Sequence, residues 1–174
     1  MILRDTLQDC LYVTIHVSSS DLSIRACDWL YVEDNRGDVT LMRIGLQEYA
    51  PGVHLYAVGT GKDGIQFLQK NGPYINAPTP NLVLVDYSLP DMTGGEMFRT
   101  VKQSEGLRDI PILIFTSMDE KLVTTESYWL EDNAIVRKPS SLQELYRIVG
   151  ELVRFSSCDD ALLKPEALHP NQAT

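Results

Sequence analysis

The sequence predicts an α/β fold, a doubly wound parallel sheet of five strands with helices on both faces. Two observations predict it. From residue 29 onward, short apolar runs alternate five times with stretches that carry apolar residues at helical spacing. The clearest runs, "LVLVD" (82–86) and "IPILIFTS" (110–117), are continuously apolar rather than alternating, which is the pattern of strands buried on both sides. Strands joined through helices pair in parallel, and right-handed crossovers then cover both faces of the sheet.

The elements follow in order. "WLYVED" (29–34) is a strand that ends on acids, and "RGDVTLMRIGLQEYA" is a helix with Val39, Met42, Ile44, Leu46 and Tyr49 at roughly helical spacing. "VHLYAVG" (53–59) is the second strand, "GKDGIQFLQK" a short helix, and "NGPYINAPTP" a loop set by its Pro and Gly residues. "LVLVD" is the third strand. "GGEMFRTVKQSE" is a helix that turns Met97, Val101 and Phe98 inward. "IPILIFTS" is the fourth strand, and "DEKLVTTESYWLED" is a helix with Asp119 as N-cap. "NAIVRKP" (133–139) is the fifth strand, and "SLQELYRIVGELVRF" closes the unit as an amphipathic helix.

This divides the chain into an N-terminal extension (1–28), a folded domain (29–155) and a mostly polar tail (156–174). Within the extension, "LYVTIHVSSS" alternates like an edge strand. It reads equally as an arm that packs on a partner or as a mis-assigned start, and the sequence leaves these open. Too little chain follows residue 155 for a DNA-binding or enzymatic output domain.

The charge balance is acidic, −9 with a pI near 4.7, and no dense Lys/Arg cluster offers a nucleic-acid footprint. No apolar run reaches the ~18–20 residues of a membrane span, and "MILRDTLQDC" carries charge where a signal peptide is apolar. The expected location is the cytoplasm. Cys10, Cys27 and Cys158 lack zinc-site spacing and are odd in number, so they are expected to be reduced thiols.

In an open parallel sheet, ligands bind beyond the carboxyl ends of the strands. Those ends here are Glu33 and Asp34, Asp86, Thr116 and Lys138. Each has an ordinary reading alone: Asp34 as a helix cap, Asp86 as the start of a turn, Thr116 as an uninformative strand end, Lys138 as a surface lysine. The ordinary readings fail jointly, because all five residues fall at one edge. Clustered carboxylates repel and raise one another's pKa, a penalty that a hard divalent cation such as Mg²⁺ removes. With a lysine to neutralise charge and a hydroxyl to donate, the set suits phosphoryl transfer to an aspartate.

The pieces "YVEDN", "LVLVDYSLPDMTGG", "ILIFTS" and "VRKPSS", in this order, resemble the response regulator receiver domain of two-component signalling over residues 29–155. The resemblance implies a flavodoxin-like sheet of order 2-1-3-4-5. It implies Asp86 as phospho-acceptor, with Mg²⁺ held by Glu33, Asp34, Asp86 and the backbone carbonyl of Ser88. It implies Thr116 as switch hydroxyl, Lys138 as phosphoryl-contacting lysine, small Ser117 as an open path to Asp86, and a cis bond before Pro139. Ser88 and Met118 flank the site where the family tunes phosphoryl lifetime. One residue departs from the pattern: Ile135 stands where the family has a switch aromatic.

The long loop before the third strand, with "YVEDNRGDVTLM" and the last helix, is similar to the small regulators that partner phytochrome-type histidine kinases. That similarity implies a histidine kinase as partner and a homodimer on the last strand and helix, through Ile135, Leu145, Tyr146 and Ile148. Tyr128 and Trp129 are expected to form an apolar patch for a partner. The expected function is a single-domain response regulator rather than an enzyme. The competing expectation is a phosphorylation-independent adaptor that binds constitutively. A hydrolase of the aspartyl-phosphate type ranks low, because it needs a second Asp where Ser88 stands.

Overall fold

The computed structural model describes residues 27–119, 121, 123, 134–156 and 158. Strands β1 (Cys27–Val32), β2 (Val53–Val58), β3 (Leu82–Val85), β4 (Ile112–Thr116) and β5 (Ile135–Arg137) form one parallel sheet in the order β2-β1-β3-β4-β5. Helices α1 (Arg36–Tyr49), α2 (Gly61–Leu68), α3 (Gly94–Gln103) and α4 (Leu142–Phe155) pack on it, and a short 3₁₀ turn (Gly72–Tyr74) lies in the loop before β3.

The apolar strands are continuous because each face has its own core. Successive side chains point to opposite sides of a strand. Cys27, Trp29 and Tyr31 of β1 join Leu82 and Leu84 of β3 in one cluster, with Met42 and Leu46 of α1 and Leu145, Ile148, Val149, Leu152 and Val153 of α4. Leu30 and Val32 join Val83, Val85 and Ile114 in the other, with Phe67 of α2 and Met97 and Val101 of α3. β3, in the middle of the sheet, is wholly buried, so a charge anywhere inside "LVLV" would be stranded without water.

The helices start where the chain supplies caps. Thr60, Thr93 and Ser141 accept from the amides of Asp63, Glu96 and Glu144, and Glu96 returns the bond to complete a capping box. Asn35, not Asp34, caps α1, its side chain accepting from the Gly37 amide. Asp34 is therefore free of the ordinary role considered for it. Asp119 accepts from the Lys121 amide at 2.9 Å, as a helix cap does.

Ile44, at roughly helical spacing with the other apolar residues of α1, does not share their buried side. Met42, Gly45 and Leu46 form the buried stripe of α1, and Ile44 is 44% exposed, because it lies two residues, or about 200° of helix, from Met42. Gly45 is needed at the α1–α4 crossing, where a Cβ would stand 3.0 Å from the Leu145 side chain.

Two further expectations are corrected. Among the described residues no peptide bond is cis, so the bond before Pro139 is trans. Cys27 and Cys158 are not free thiols but form a disulfide, their Cα atoms 5.9 Å apart across 131 residues of chain. They meet because α4 runs back along the sheet to the start of β1. Cys10, Tyr128 and Trp129 lie outside the described residues.

The residues expected to pair two copies serve their own chain. Leu145 and Ile148 are buried in the core, Tyr146 stacks on Tyr49 with ring centroids 3.9 Å apart, and Ile135 packs on the α2–α3 face. Leu142 and Phe155 are the exposed apolar residues of α4.

Candidate phospho-acceptor site

The site lies at the carboxyl edge of β1, β3 and β4. β3 delivers Asp86 there, 6% exposed, with its amide bonded to the Val32 carbonyl at 2.9 Å. Its Oδ2 accepts from the Ser88 amide at 2.7 Å, and its Oδ1 pairs with Lys138 Nζ at 2.7 Å. The loop then folds back hard. The Gly94 amide donates to the Tyr87 carbonyl at 2.8 Å. A Cβ on Gly94 would press on the Asp86 carbonyl oxygen and stand 2.9 Å from Tyr87 Cα, so the return requires glycine. Asp91 fastens the same loop to α2 by accepting from the amides of Gly61 and Lys62 at 2.8 and 2.9 Å. Burial favours its neutral form, but those bonds outweigh it and hold its pKa below the usual carboxylate value.

Lys138 reaches this edge because its amide donates to the Thr116 carbonyl at 2.8 Å, just past the end of β5. Its ammonium contacts Glu33 Oε2 at 2.6 Å, Asp38 Oδ2 at 2.7 Å and Asp86 Oδ1 at 2.7 Å. Burial alone would push its pKa down. The hydrogen bonds to Asp38, Asp86 and Glu33 more than offset that and leave it above the ordinary lysine value.

Glu33 is sunk in the cluster, its Oε2 also accepting from Tyr31 Oη at 2.9 Å and its Oε1 from the Asn35 amide at 3.0 Å. The Tyr31 phenol is pushed above its ordinary pKa, first by burial and then by Glu33, Asp38 and Asp86. Thr116 is buried, and its Oγ1 accepts from the Met118 amide at 3.2 Å. Ser88 is exposed and its Oγ contacts Met118 Sδ at 3.3 Å. Asp34 and Ser117 are exposed.

Five of the six expected residues thus stand in one bonded group or beside it: Glu33, Asp86, Ser88, Thr116 and Lys138. Asp34 points to solvent at the rim. The cation between Glu33 and Asp86 is the lysine ammonium. Among the described residues no three His, Cys, Asp or Glu side chains converge into a ready metal cage. Of the four expected ligands, Asp34, Asp86 and the Ser88 carbonyl remain for a metal, while both Glu33 oxygens are taken up by Tyr31, Lys138 and the Asn35 amide. All are hard donors, a set that fits Mg²⁺ or Mn²⁺ with water completing the shell. Asp38 was missed by reading strand ends alone. Its signal was its place in the first turn of α1, since a helix that follows a strand starts at that strand's carboxyl edge.

Together, the sheet order and a buried aspartate paired with a lysine at the carboxyl edge define an α/β domain of the signalling-receiver type. The sequence profile of the response regulator receiver domain matches residues 30–150, and the chain belongs to that family. It is similar to response regulator Rcp1 of Synechocystis sp. (strain ATCC 27184 / PCC 6803 / Kazusa), 32% identical over 126 residues that cover 72% of this chain and 86% of that one. Among solved structures it is similar to the phosphorylated cyanobacterial phytochrome response regulator RcpA (27% identity, TM-score 0.67, 75% of this chain and 94% of that one). It is also similar to the Mn²⁺-bound form of Rcp1 (31% identity, TM-score 0.64, 74% and 93%). The protein is a response regulator of two-component signalling, similar to those of phytochromes.

Proposed function

We propose that Asp86 accepts a phosphoryl group from the phosphohistidine of a histidine kinase, in a reaction that needs Mg²⁺. The observation that carries this is the contact between Asp86 and Lys138 at the open edge of the sheet. An Asp86 oxygen attacks phosphorus, the P–N bond to the donor imidazole breaks, and that nitrogen leaves with the bonding pair and takes up a proton. β3 and the Ser88 amide aim the carboxylate, so that positioning supplies much of the rate. Lys138 offsets negative charge on the transferring group, and Thr116 Oγ1 supplies a hydroxyl for one of its oxygens once that oxygen is in place. Asp34, Asp86 and the Ser88 carbonyl would hold Mg²⁺, whose chemistry is charge neutralisation on the phosphoryl oxygens.

The similarity to phytochrome response regulators supports a phytochrome-type histidine kinase as the donor, and a cytoplasmic location suits a donor that draws its phosphoryl group from ATP. No helix among the described residues is long and apolar enough to cross a membrane. Pairing of two copies along β5 and α4 would use the exposed Leu142 and Phe155 rather than the residues the sequence suggested. Output runs through altered protein binding or onward phosphotransfer. The constitutive adaptor is the weaker reading, because it gives Asp86 and Lys138 no work at the edge.

The test is intact mass after incubation with acetyl phosphate and Mg²⁺. Wild type is expected to gain one phosphoryl group, and Asp86→Asn and an EDTA-treated sample none. Wild type that stays unmodified while binding Mg²⁺ would move the reading to the adaptor.

A further inference from the structure

We infer that Asp38 is a positioning residue that competes with the acceptor for Lys138 and thereby sets how readily Asp86 takes and keeps an anionic phosphoryl group. This rests on the reading of Asp86 as phospho-acceptor.

A lysine ammonium has three N–H groups; two are hydrogen-bonded to Glu33 and Asp38 at 2.6 and 2.7 Å, and the ammonium is ion-paired with Asp86 Oδ1 at 2.7 Å. A phosphoryl oxygen arriving at Asp86 needs one of these N–H groups, so one carboxylate must yield. Glu33 is badly placed to do so. Its side chain is 2% exposed, and both of its oxygens lie in a network with Tyr31 and the Asn35 amide, so losing the cation would strand a buried charge. Asp38 stands in the first turn of α1 with its side chain 28% exposed. Water can replace the ammonium there, and the helix N-terminus favours the carboxylate left behind. Asp38 is therefore the contact that yields. Until it does, it draws the ammonium toward α1 and away from the acceptor.

Removing Asp38 leaves Lys138 held by Glu33 and Asp86, still at the acceptor. Asp38→Asn is expected to tighten binding of beryllofluoride, a phosphoryl mimic, in the presence of Mg²⁺. Modification by acetyl phosphate should speed up as well. Each effect should be about three- to tenfold, the range of one partly exposed charge-assisted contact. Asp38→Glu, which restores the charge, should return both toward wild type.

The discriminating experiment is a double-mutant cycle with Lys138→Met. If Asp38 acts through the lysine, Asp38→Asn changes beryllofluoride affinity in the wild-type background and not in Lys138→Met. An equal change in both backgrounds would overturn the proposal in favour of a simple charge effect. So would unchanged or weakened binding in an Asp38→Asn variant whose melting temperature matches wild type. Wild type that takes neither beryllofluoride nor a phosphoryl group would remove the acceptor reading itself, and this proposal with it, whereas a wild type that takes both while Asp38→Asn behaves identically removes only the role of Asp38.

Discussion

Opening the bond between Cys27 and Cys158 should weaken the fold measurably. The bridge closes 131 residues of sequence separation. In the chain-entropy account, releasing a loop of that length returns about 5 kcal/mol of freedom to the unfolded state. Bridges often deliver less than this ceiling, so the expected loss is about 3–5 kcal/mol, or about 6–20 °C in melting temperature for a chain of this size. The clean variant is Cys158→Ser, because Cys158 is only partly buried whereas Cys27 is 1% exposed and a serine there would bury a hydroxyl. A Cys10→Ser background keeps the third thiol from exchanging. Calorimetry with and without a phosphine reductant should show a lower melting temperature for reduced wild type and no response to reductant in Cys158→Ser. Peptide mapping of the oxidised protein should recover Cys27 linked to Cys158. A melting temperature that ignores the reductant, or two freely alkylated thiols in oxidised protein, would refute the reasoning.

Two further outcomes follow from the site. Lys138 and Tyr31 both have raised pKa values in the fold, so the folded chain keeps protons that the unfolded chain releases. Their stabilisation is complete below the unfolded values of about 10 and is lost as pH rises beyond them. Urea midpoints should fall steeply above pH ~10, and less steeply in Tyr31→Phe; identical profiles would exclude the phenol. Gly94→Ala should cost about 1–3 kcal/mol because its Cβ meets backbone that cannot step aside, and it should slow acetyl phosphate modification. Gly150→Ala, with only the Arg154 side chain near at 3.8 Å, should be neutral or stabilising by up to about 1 kcal/mol, and equal losses at the two positions would refute the steric account.

The strands and their order were legible because a sheet covered on both sides leaves continuous apolar runs, and "LVLV" is one end to end. The edge residues were legible because each ends or follows such a run. What stayed hidden required three dimensions. Asp38 belongs to the site through the direction in which α1 leaves β1. Ile44 faces solvent because the true stripe includes Gly45, which no hydrophobic pattern marks. Leu145 and Ile148 looked available to a partner because their own core is built from β1 and α1, more than ninety residues earlier in the sequence. The cysteine pair was invisible for the same reason, since only the antiparallel run of α4 brings residue 158 to the start of β1.

That pair also changes what kind of object the domain is. Parallel strands put Cys27 at the opposite rim from Asp86, about 20 Å away along β1. There the bond turns residues 27–158 into a covalent ring. A single backbone cut anywhere inside the ring leaves one connected molecule until a reductant is added. The ring's two chain ends, Cys27 and Cys158, therefore lie side by side at the rim opposite Asp86.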